Sequence, residues 1–307
     1  MSASSHLPRP RPLTKALLAR WPLPAPAGDA DKEDRGHILV VGGCGEMPGA
    51  VLLAATAALR AGAGKLTMAA PRCIAQGLAL AIPEARVIGL AETRTGAIAP
   101  SEARKLAHLG NEVSAVVIGP GMVDEHRTKA FVQALLPGFR GSVVVLDAYA
   151  MSVVKEGRLN QPIVLTPHCG EMAHLTGDSK EAVLSAQLYY AVTMAARWGS
   201  CVALKGADTF IAQPAESVLR FKGGTPGLAV SGSGDTLAGV IGGIAARGAP
   251  AIQACAWGVF LHAMAGQALA RRHGPLGFLA SELPQQIPRL LHALGKHCRR
   301  PRRHPGG

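Results

Sequence analysis

The sequence predicts an α/β protein built on a central, mostly parallel sheet with helices on both faces. Three observations carry that expectation. Short apolar runs recur at helix-length intervals along the chain, which is the βαβ signature of a parallel sheet. These runs are apolar throughout rather than alternating, as in His37-Ile-Leu-Val-Val-Gly-Gly43, and a strand buried on both faces reads that way. Glycines cluster just past strand ends, at Gly119-Pro-Gly121 and through Gly223–Gly239; ligands of open α/β sheets gather at such carboxyl ends.

Taken in order, residues 1–12 are rich in proline and arginine and read as unstructured. Thr14–Arg20 predicts a short helix stopped by Trp21-Pro22, and residues 22–35 form a proline-rich, then charged connector. Residues 1–35 are therefore expected to be an N-terminal extension, disordered apart from that helix. After the first strand, Cys44-Gly-Glu-Met-Pro-Gly-Ala50 is a loop leading into a helix over Val51–Ala61, with Pro48 near its start. Gly62-Ala-Gly64 ends that helix, and Lys65–Ala70 is the next strand. Gly43, Gly45 and Gly49 miss the G-x-G-x-x-G spacing and no acidic residue closes the following strand, so a dinucleotide fingerprint is weak here.

The pattern continues with strand Arg86–Leu90, helix Ser101–Leu109, strand Ala115–Ile118, helix Glu125–Leu136 and strands Ser142–Leu146 and Ile163–Leu165. Thr166-Pro-His-Cys-Gly-Glu171 precedes a helix from Met172; a long helix over Glu181–Trp198 leads to strand Cys201–Leu204. Phe210–Gln213 and Val218–Phe221 predict a hairpin. Helices over 234–247 and 250–272 follow, and a last helix reaches about Leu294. No repeat or proline-rich linker interrupts residues 36–295, so they read as one domain. Residues 296–307 read as a disordered basic tail.

The chain has 307 residues, 48% hydrophobic and 17% charged, enough apolar material for a sizeable core. Its net charge of +12 points to an anionic ligand, but Lys296, Arg299, Arg300, Arg302 and Arg303 concentrate much of the excess in the tail. With aromatics at only 4%, base-stacking platforms for nucleic acid are not expected. The six cysteines are scattered without a C-x-x-C pair, which argues against a zinc ribbon and for a reducing, cytoplasmic setting. The N-terminus lacks the apolar run of a signal peptide, and segments such as 250–270 carry Gln253, His262 and Gln267, so membrane spans are not expected.

Gly-Gly-Thr-Pro-Gly-Leu-Ala-Val-Ser-Gly-Ser-Gly-Asp235 is the candidate chemical centre. Its glycines permit close approach of a phosphate to the backbone, and the helix that follows aims free N–H groups and its positive dipole end at that anion. Asp235 at the helix mouth is placed for a base or metal partner. For a lone Gly-Asp pair a simple helix cap by Ser233 or Asp235 is the commoner reading; the glycine density shifts the balance.

Six motifs taken together resemble one family. HILVVGG-CGEMPGAVLLAATAALRAGAGKLT, VIGPGM, VLDAYAM, LTPHCGEM, LKGADT and GGTPGLAVSGSGDTLAG occur in the order and spacing of the ADP/ATP-dependent NAD(P)H-hydrate dehydratases of the ribokinase-like superfamily. The resemblance runs from about Gly36 to Pro288. It implies repair of hydrated NADH or NADPH: ADP (or ATP) phosphorylates the hydroxyl on C6 of the ring, and phosphate then departs as the ring nitrogen pushes. By motif, it implies that Asp235 is the catalytic base and also contacts the hydrated cofactor with Ala50, Gly121 and His168. The adenine nucleotide falls to Lys205, Gly206, Ala207, Asp208, Thr209, Ser233 and Gly234, and Glu171 is the residue nearest Mg²⁺. It further implies a homotetramer and a separate NAD(P)H-hydrate epimerase.

The chain departs from the family pattern at Cys169 for the usual proline, Thr225 for asparagine, Ser231 for glycine and Tyr149 for the second aspartate of DADAL. A Cys169–His168 nucleophile is disfavoured because adjacent residues of an extended segment point apart. Two other readings compete: a ribokinase-like kinase of a vitamin precursor or sugar, which would share Asp235 and the glycine loop, and a non-enzymatic nucleotide-binding regulator.

Overall fold

A strand that is apolar throughout needs cover on both sides, and the sheet order follows from that need. In the computed structural model, which describes residues 7–24 and 35–298, the elements in chain order begin with β1 (Arg11–Pro12), α1 (Lys15–Ala19), β2 (His37–Val41), α2 (Pro48–Arg60), β3 (Lys65–Pro71), α3 (Arg72–Ala81) and β4 (Ala85–Leu90). Next come α4 (Ala103–Leu106), β5 (Ala115–Ile118), α5 (Glu125–Leu135), β6 (Val143–Leu146), β7 (Ile163–Leu165), α6 (Cys169–Thr176), α7 (Lys180–Ser185) and α8 (Gln187–Trp198). The chain closes with β8 (Cys201–Leu204), β9 (Asp208–Ala212), β10 (Leu219–Lys222), α9 (Ser233–Ala246), α10 (Ala251–His273) and α11 (Leu283–Cys298).

These strands form one sheet in the order β1-β10-β9-β8-β7-β6-β5-β2-β3-β4. Pairing is parallel from β4 across to β8 and antiparallel only at β8–β9 and β9–β10, with β1 parallel to β10. Alternation along each strand divides the core in two. Ile38 and Val40 of β2 join the cluster under α2, α9, α10 and α11, while Leu39 and Val41 join the one under α5, α6 and α8.

Helix α9 runs against α2 almost backbone to backbone. A Cβ on Gly239 would lie 2.1 Å from Ala54 O, and one on Gly243 would lie 2.3 Å from Ala58 O. No side chain fits there, so Gly239 and Gly243 are a packing requirement against α2, while Gly242 faces the sheet, where a Cβ would meet Val117 Cγ2 at 2.3 Å; none is merely weak helix propensity.

The structure differs from the sequence reading in six places. Arg11–Pro12 is an edge strand: Arg11 N–H donates to Val218 O and Leu13 N–H to Arg220 O, each at 2.8 Å, while Pro12, with no donor to lose, sits where an edge strand tolerates it. The Trp21 carbonyl accepts from Trp257 Nε1 at 2.9 Å and from Gln253 Nε2 at 3.2 Å, so residues 7–24 pack as part of the domain. The helix α3 was not anticipated. The expected helix over 181–198 breaks at Ala186 (φ −136°, ψ 38°) into α7 and α8, and the one over 101–109 is a four-residue α4 between 3₁₀ turns. Helix α11 continues to Cys298, into the first residues assigned to the tail; residues 1–6, 25–34 and 299–307 lie outside the described residues. Among those described, no helix is long and apolar enough to cross a membrane.

Candidate active site

Because β2, β5, β6, β7 and β8 run parallel, their carboxyl ends open on one edge, and each contributes a loop there. Gly119 after β5 has φ 127° and a Cβ on it would meet Asp147 O at 1.9 Å, so the β5 and β6 loops touch through backbone. Gly121 (φ 68°) is held against the loop after β2, where an added Cβ would lie 2.7 Å from Met47 O and 2.9 Å from Ala50 Cβ. Gly232, in the left-handed conformation at φ 86°, turns the chain into α9, and Leu53 Cδ1 would stand 2.5 Å from any Cβ there.

Two cavities adjoin along this edge. One, of about 770 Å³, is walled by Met47, Ala50, Leu53, Gly121, Met122 and Tyr149 among others. The second, of about 1000 Å³, is walled by Lys205, Gly206, Thr209, the glycine loop and the start of α9. Ala148, His168, Glu171, Ser231, Gly232 and Asp235 line both. Asp235 therefore stands where two ligands would meet.

The electrostatics of this junction are dominated by carboxylates around one cation. Burial first, then the nearby Asp147 and Glu171 carboxylates, push the Asp235 pKa up to about 6 against the pull of Lys205. Lys205 Nζ lies 3.6 Å from Asp147 Oδ1 and 3.7 Å from Glu171 Oε2. Burial alone would weaken its charge, yet Asp147 and Glu171 outweigh it and the pKa rises. Asp147 is buried and accepts from Thr166 Oγ1 at 2.6 Å, so it is a fixed acceptor. An oxyanion entering beside Lys205 meets the first-turn N–H groups of α9 and a base poised near neutrality.

His168 and Glu171 cap α6 reciprocally: Glu171 N–H donates to His168 Nδ1 at 3.0 Å, and His168 N–H donates to Glu171 Oε2 at 2.7 Å. With Nδ1 accepting, the ring can donate only from Nε2, which lies 3.7 Å from Glu171 Oε2. On the far side of the glycine loop, Ser233 Oγ lies 3.0 Å from Nε2 of buried His262. Burial lowers the His262 pKa to about 4, so the pair stays neutral and fixes the first residue of α9.

Comparison with known proteins decides the family. A family model described as NAD(P)H-hydrate dehydratase matches residues 38–289. The chain belongs to the NAD(P)H-hydrate dehydratase family. An ADP-dependent (S)-NAD(P)H-hydrate dehydratase of Xanthomonas campestris is 50% identical over 94% of this chain and 98% of its own length. Bifunctional NAD(P)H-hydrate repair enzymes also match, and the chain spans about half of their length. Among solved structures, a ribokinase-like superfamily protein from Enterococcus faecalis superposes with a TM-score of 0.80 at 26% identity, over 93% of this chain and 96% of that one. The ADP/ATP-dependent NAD(P)H-hydrate dehydratase of Bacillus subtilis, co-crystallised with ATP and Mg²⁺, gives 0.79 at 28% identity, over 95% and 100%. The fold is ribokinase-like.

The residues singled out in this dehydratase-family chain sort by cavity. Ala50, Gly121 and His168 line the smaller one, while Lys205, Gly206, Ala207, Thr209, Ser233 and Gly234 line the larger. Asp208 is the exception. It is the first residue of β9, and its carboxylate is taken up by the Arg220 guanidinium across the hairpin, so its side chain is structural. Cys169 starts α6, buried, with Sγ accepting from Gln187 Nε2 at 3.0 Å, while His168 is exposed; the two side chains do part, at a helix start rather than along an extended segment. Asp147 and His262 received no role from the sequence. Asp147 was visible as an acid at a strand end, whereas His262 was hidden inside an apolar helix.

No cluster of three or more His, Cys, Asp or Glu side chains able to hold a metal is present among the described residues. Mg²⁺ asks less of a protein: it keeps several waters and binds through one or two carboxylates plus substrate phosphates. Glu171 and Asp147, both beside Lys205, fit that requirement.

Proposed function

We propose that this chain carries out the ADP-dependent dehydration of the S epimer of hydrated NADH or NADPH, returning NAD(P)H and releasing AMP and phosphate. The observation that carries the reading is the position of Asp235, on the wall common to two cavities, with its pKa pushed up to about 6. The larger cavity takes the adenine nucleotide, with its terminal phosphate against Gly234 and Lys205. The smaller takes the hydrated ring, with small Ala50 and Gly121 leaving room for it and His168 Nε2–H donating to it.

Asp235 accepts the proton of the C6 hydroxyl, the freed oxygen forms a bond to the terminal phosphorus, and the bond from that phosphorus to AMP breaks. The C6–O bond then breaks with its electron pair leaving on phosphate and the N1 lone pair forms N1=C6; a C5 proton then passes to solvent, its C–H pair forms C5=C6 and the N1=C6 pair returns to N1. Mg²⁺, held with the nucleotide by Glu171 and Asp147, would neutralise phosphate charge. Lys205 and the α9 N–H groups orient the phosphate, and the shared wall keeps water from between the reactants.

Incubation of the chain with hydrated NADH, ADP and Mg²⁺ tests the reading: absorbance in the NADH band should recover, and Asp235→Asn should abolish recovery while nucleotide still binds. A phosphorylated product accumulating without NADH would favour the small-molecule kinase alternative.

The same reading extends to a cytoplasmic homotetramer served by an NAD(P)H-hydrate epimerase. Light scattering at four times the 31.6 kDa chain mass is the expected result for the assembly, and cell fractionation checks the compartment. With a racemic hydrate the pure chain should stop with the R epimer unreacted; full conversion would mean that no separate epimerase is needed.

A further inference from the structure

Tyr149 takes part in none of the contacts described so far, and its placement calls for an explanation. It follows Ala148, a non-glycine residue held in the left-handed region at φ 48°, a conformation that costs energy unless surrounding structure demands it. Ala148 lines both cavities, while Tyr149 lines only the smaller. Consecutive Cα atoms are about 3.8 Å apart, so the tyrosine starts within one residue of the wall on which Asp235 stands. Its neighbours Ala150 and Met151 are buried, whereas Tyr149 is 45% exposed. The turn therefore sinks two side chains into the core and leaves Tyr149 exposed at the cavity wall. Phe, Trp and Tyr make up only 4% of the chain, and Tyr149 is the one of them lining this cavity among the described residues; the remaining wall offers the imidazoles of His168 and His174, methionines, leucines, small residues and acidic groups.

The chemistry of the ligand matches that ring. When phosphate leaves C6 with the bonding pair, the N1 lone pair forms N1=C6 and the pyridine ring carries a positive charge until the C5 proton is lost. An aromatic face attracts such a cation, more strongly when desolvated, and stacks on the flat product as well. A flat apolar residue would favour ring burial, but only a π face answers the charge that appears during the step.

We propose that Tyr149 is the stacking residue for the pyridine ring of the hydrated cofactor, setting specificity for that ring and stabilising the cation formed as phosphate departs. The inference rests on the dehydratase reading. Steady-state kinetics of the full chain with hydrated NADH and ADP, comparing Tyr149→Phe, Tyr149→Leu and Tyr149→Ala, test it. Phe should keep kcat/KM within about threefold of the parent, whereas Leu and Ala should lose about tenfold or more. Part of that loss should fall on kcat, and KM for ADP should not move. Melting temperatures should be unchanged, since the ring is largely outside the core. Leu behaving like Phe would overturn the inference while leaving the dehydratase reading intact, as would a loss confined to KM for ADP. A parent chain that forms no NADH from the hydrate would overturn the dehydratase reading, and this inference with it.

Discussion

Glu171 and His168 hold each other at the start of α6: the Glu171 N–H donates to His168 Nδ1 at 3.0 Å, and the Glu171 carboxylate accepts the His168 N–H at 2.7 Å. One bond pattern serves two ends. It satisfies two donors of the helix terminus, and it leaves Nε2 as the ring's only free donor position, on a residue that lines both cavities.

Separating those ends is possible by substitution. His168→Asn keeps a good capping side chain but lacks the reach of Nε2–H, so the melting temperature should hold while kcat/KM for the hydrate falls at least tenfold. His168→Ala should lose the cap as well, at about 1 kcal/mol of stability. Thermal melts beside steady-state kinetics read both quantities.

The raised pKa of Asp235 sets a pH dependence. As a base the residue must be ionised, so kcat/KM should climb through pH about 6 and level off above it. For stability the sign is opposite. A carboxyl whose folded pKa exceeds its unfolded value stabilises the fold while protonated, and that contribution is lost as pH rises through about 6. Asp235→Asn should therefore be more stable than the parent at pH 8, by on the order of 2 kcal/mol, with the gap closing toward pH 4. Urea melts at the two pH values check this.

Lys205 draws the Asp235 pKa down, against Asp147 and Glu171. Lys205→Met should shift the acid limb of the kcat/KM profile to higher pH and raise KM for the nucleotide by at least tenfold, because three carboxylates are left around the phosphate position. A profile unmoved by the substitution would separate the lysine from the base.

The contact of α9 with α2 has no slack. Gly239→Ala would set a Cβ 2.1 Å from Ala54 O, and the helices would have to part at a cost of about 3 kcal/mol. A lower melting temperature together with higher KM for both ligands is expected, since α9 begins at Asp235's turn and α2 at the Ala50 loop.

Much of this site was legible in the sequence because its chemistry sits in glycine-bounded loops at strand ends, where composition changes abruptly. Asp235, Lys205 and His168 stand out in such places. Asp208 lies in the same short motif as Lys205, but the chain has already turned into β9 and its carboxylate pairs with Arg220, a turn the sequence does not mark. His262 gave no signal because a buried histidine within an apolar helix looks like any other core residue until Ser233 is seen beside it. The two-residue strand Arg11–Pro12 is too short for any periodicity, and its pairing is decided by β10, some two hundred residues away. Helix α3 carries a short apolar stripe, Ile74 and Leu78, and was passed over because it follows β3 with no loop between them to mark its start.

The glycine seam between α9 and α2 has a wider consequence. Where backbone rests on backbone there are no rotamers to change, so this joint cannot act as a hinge. The starts of α2 and α9, which border the two cavities, thus belong to what is mechanically a single strut. The distance between the cavity walls that α2 and α9 carry is therefore set when the chain folds.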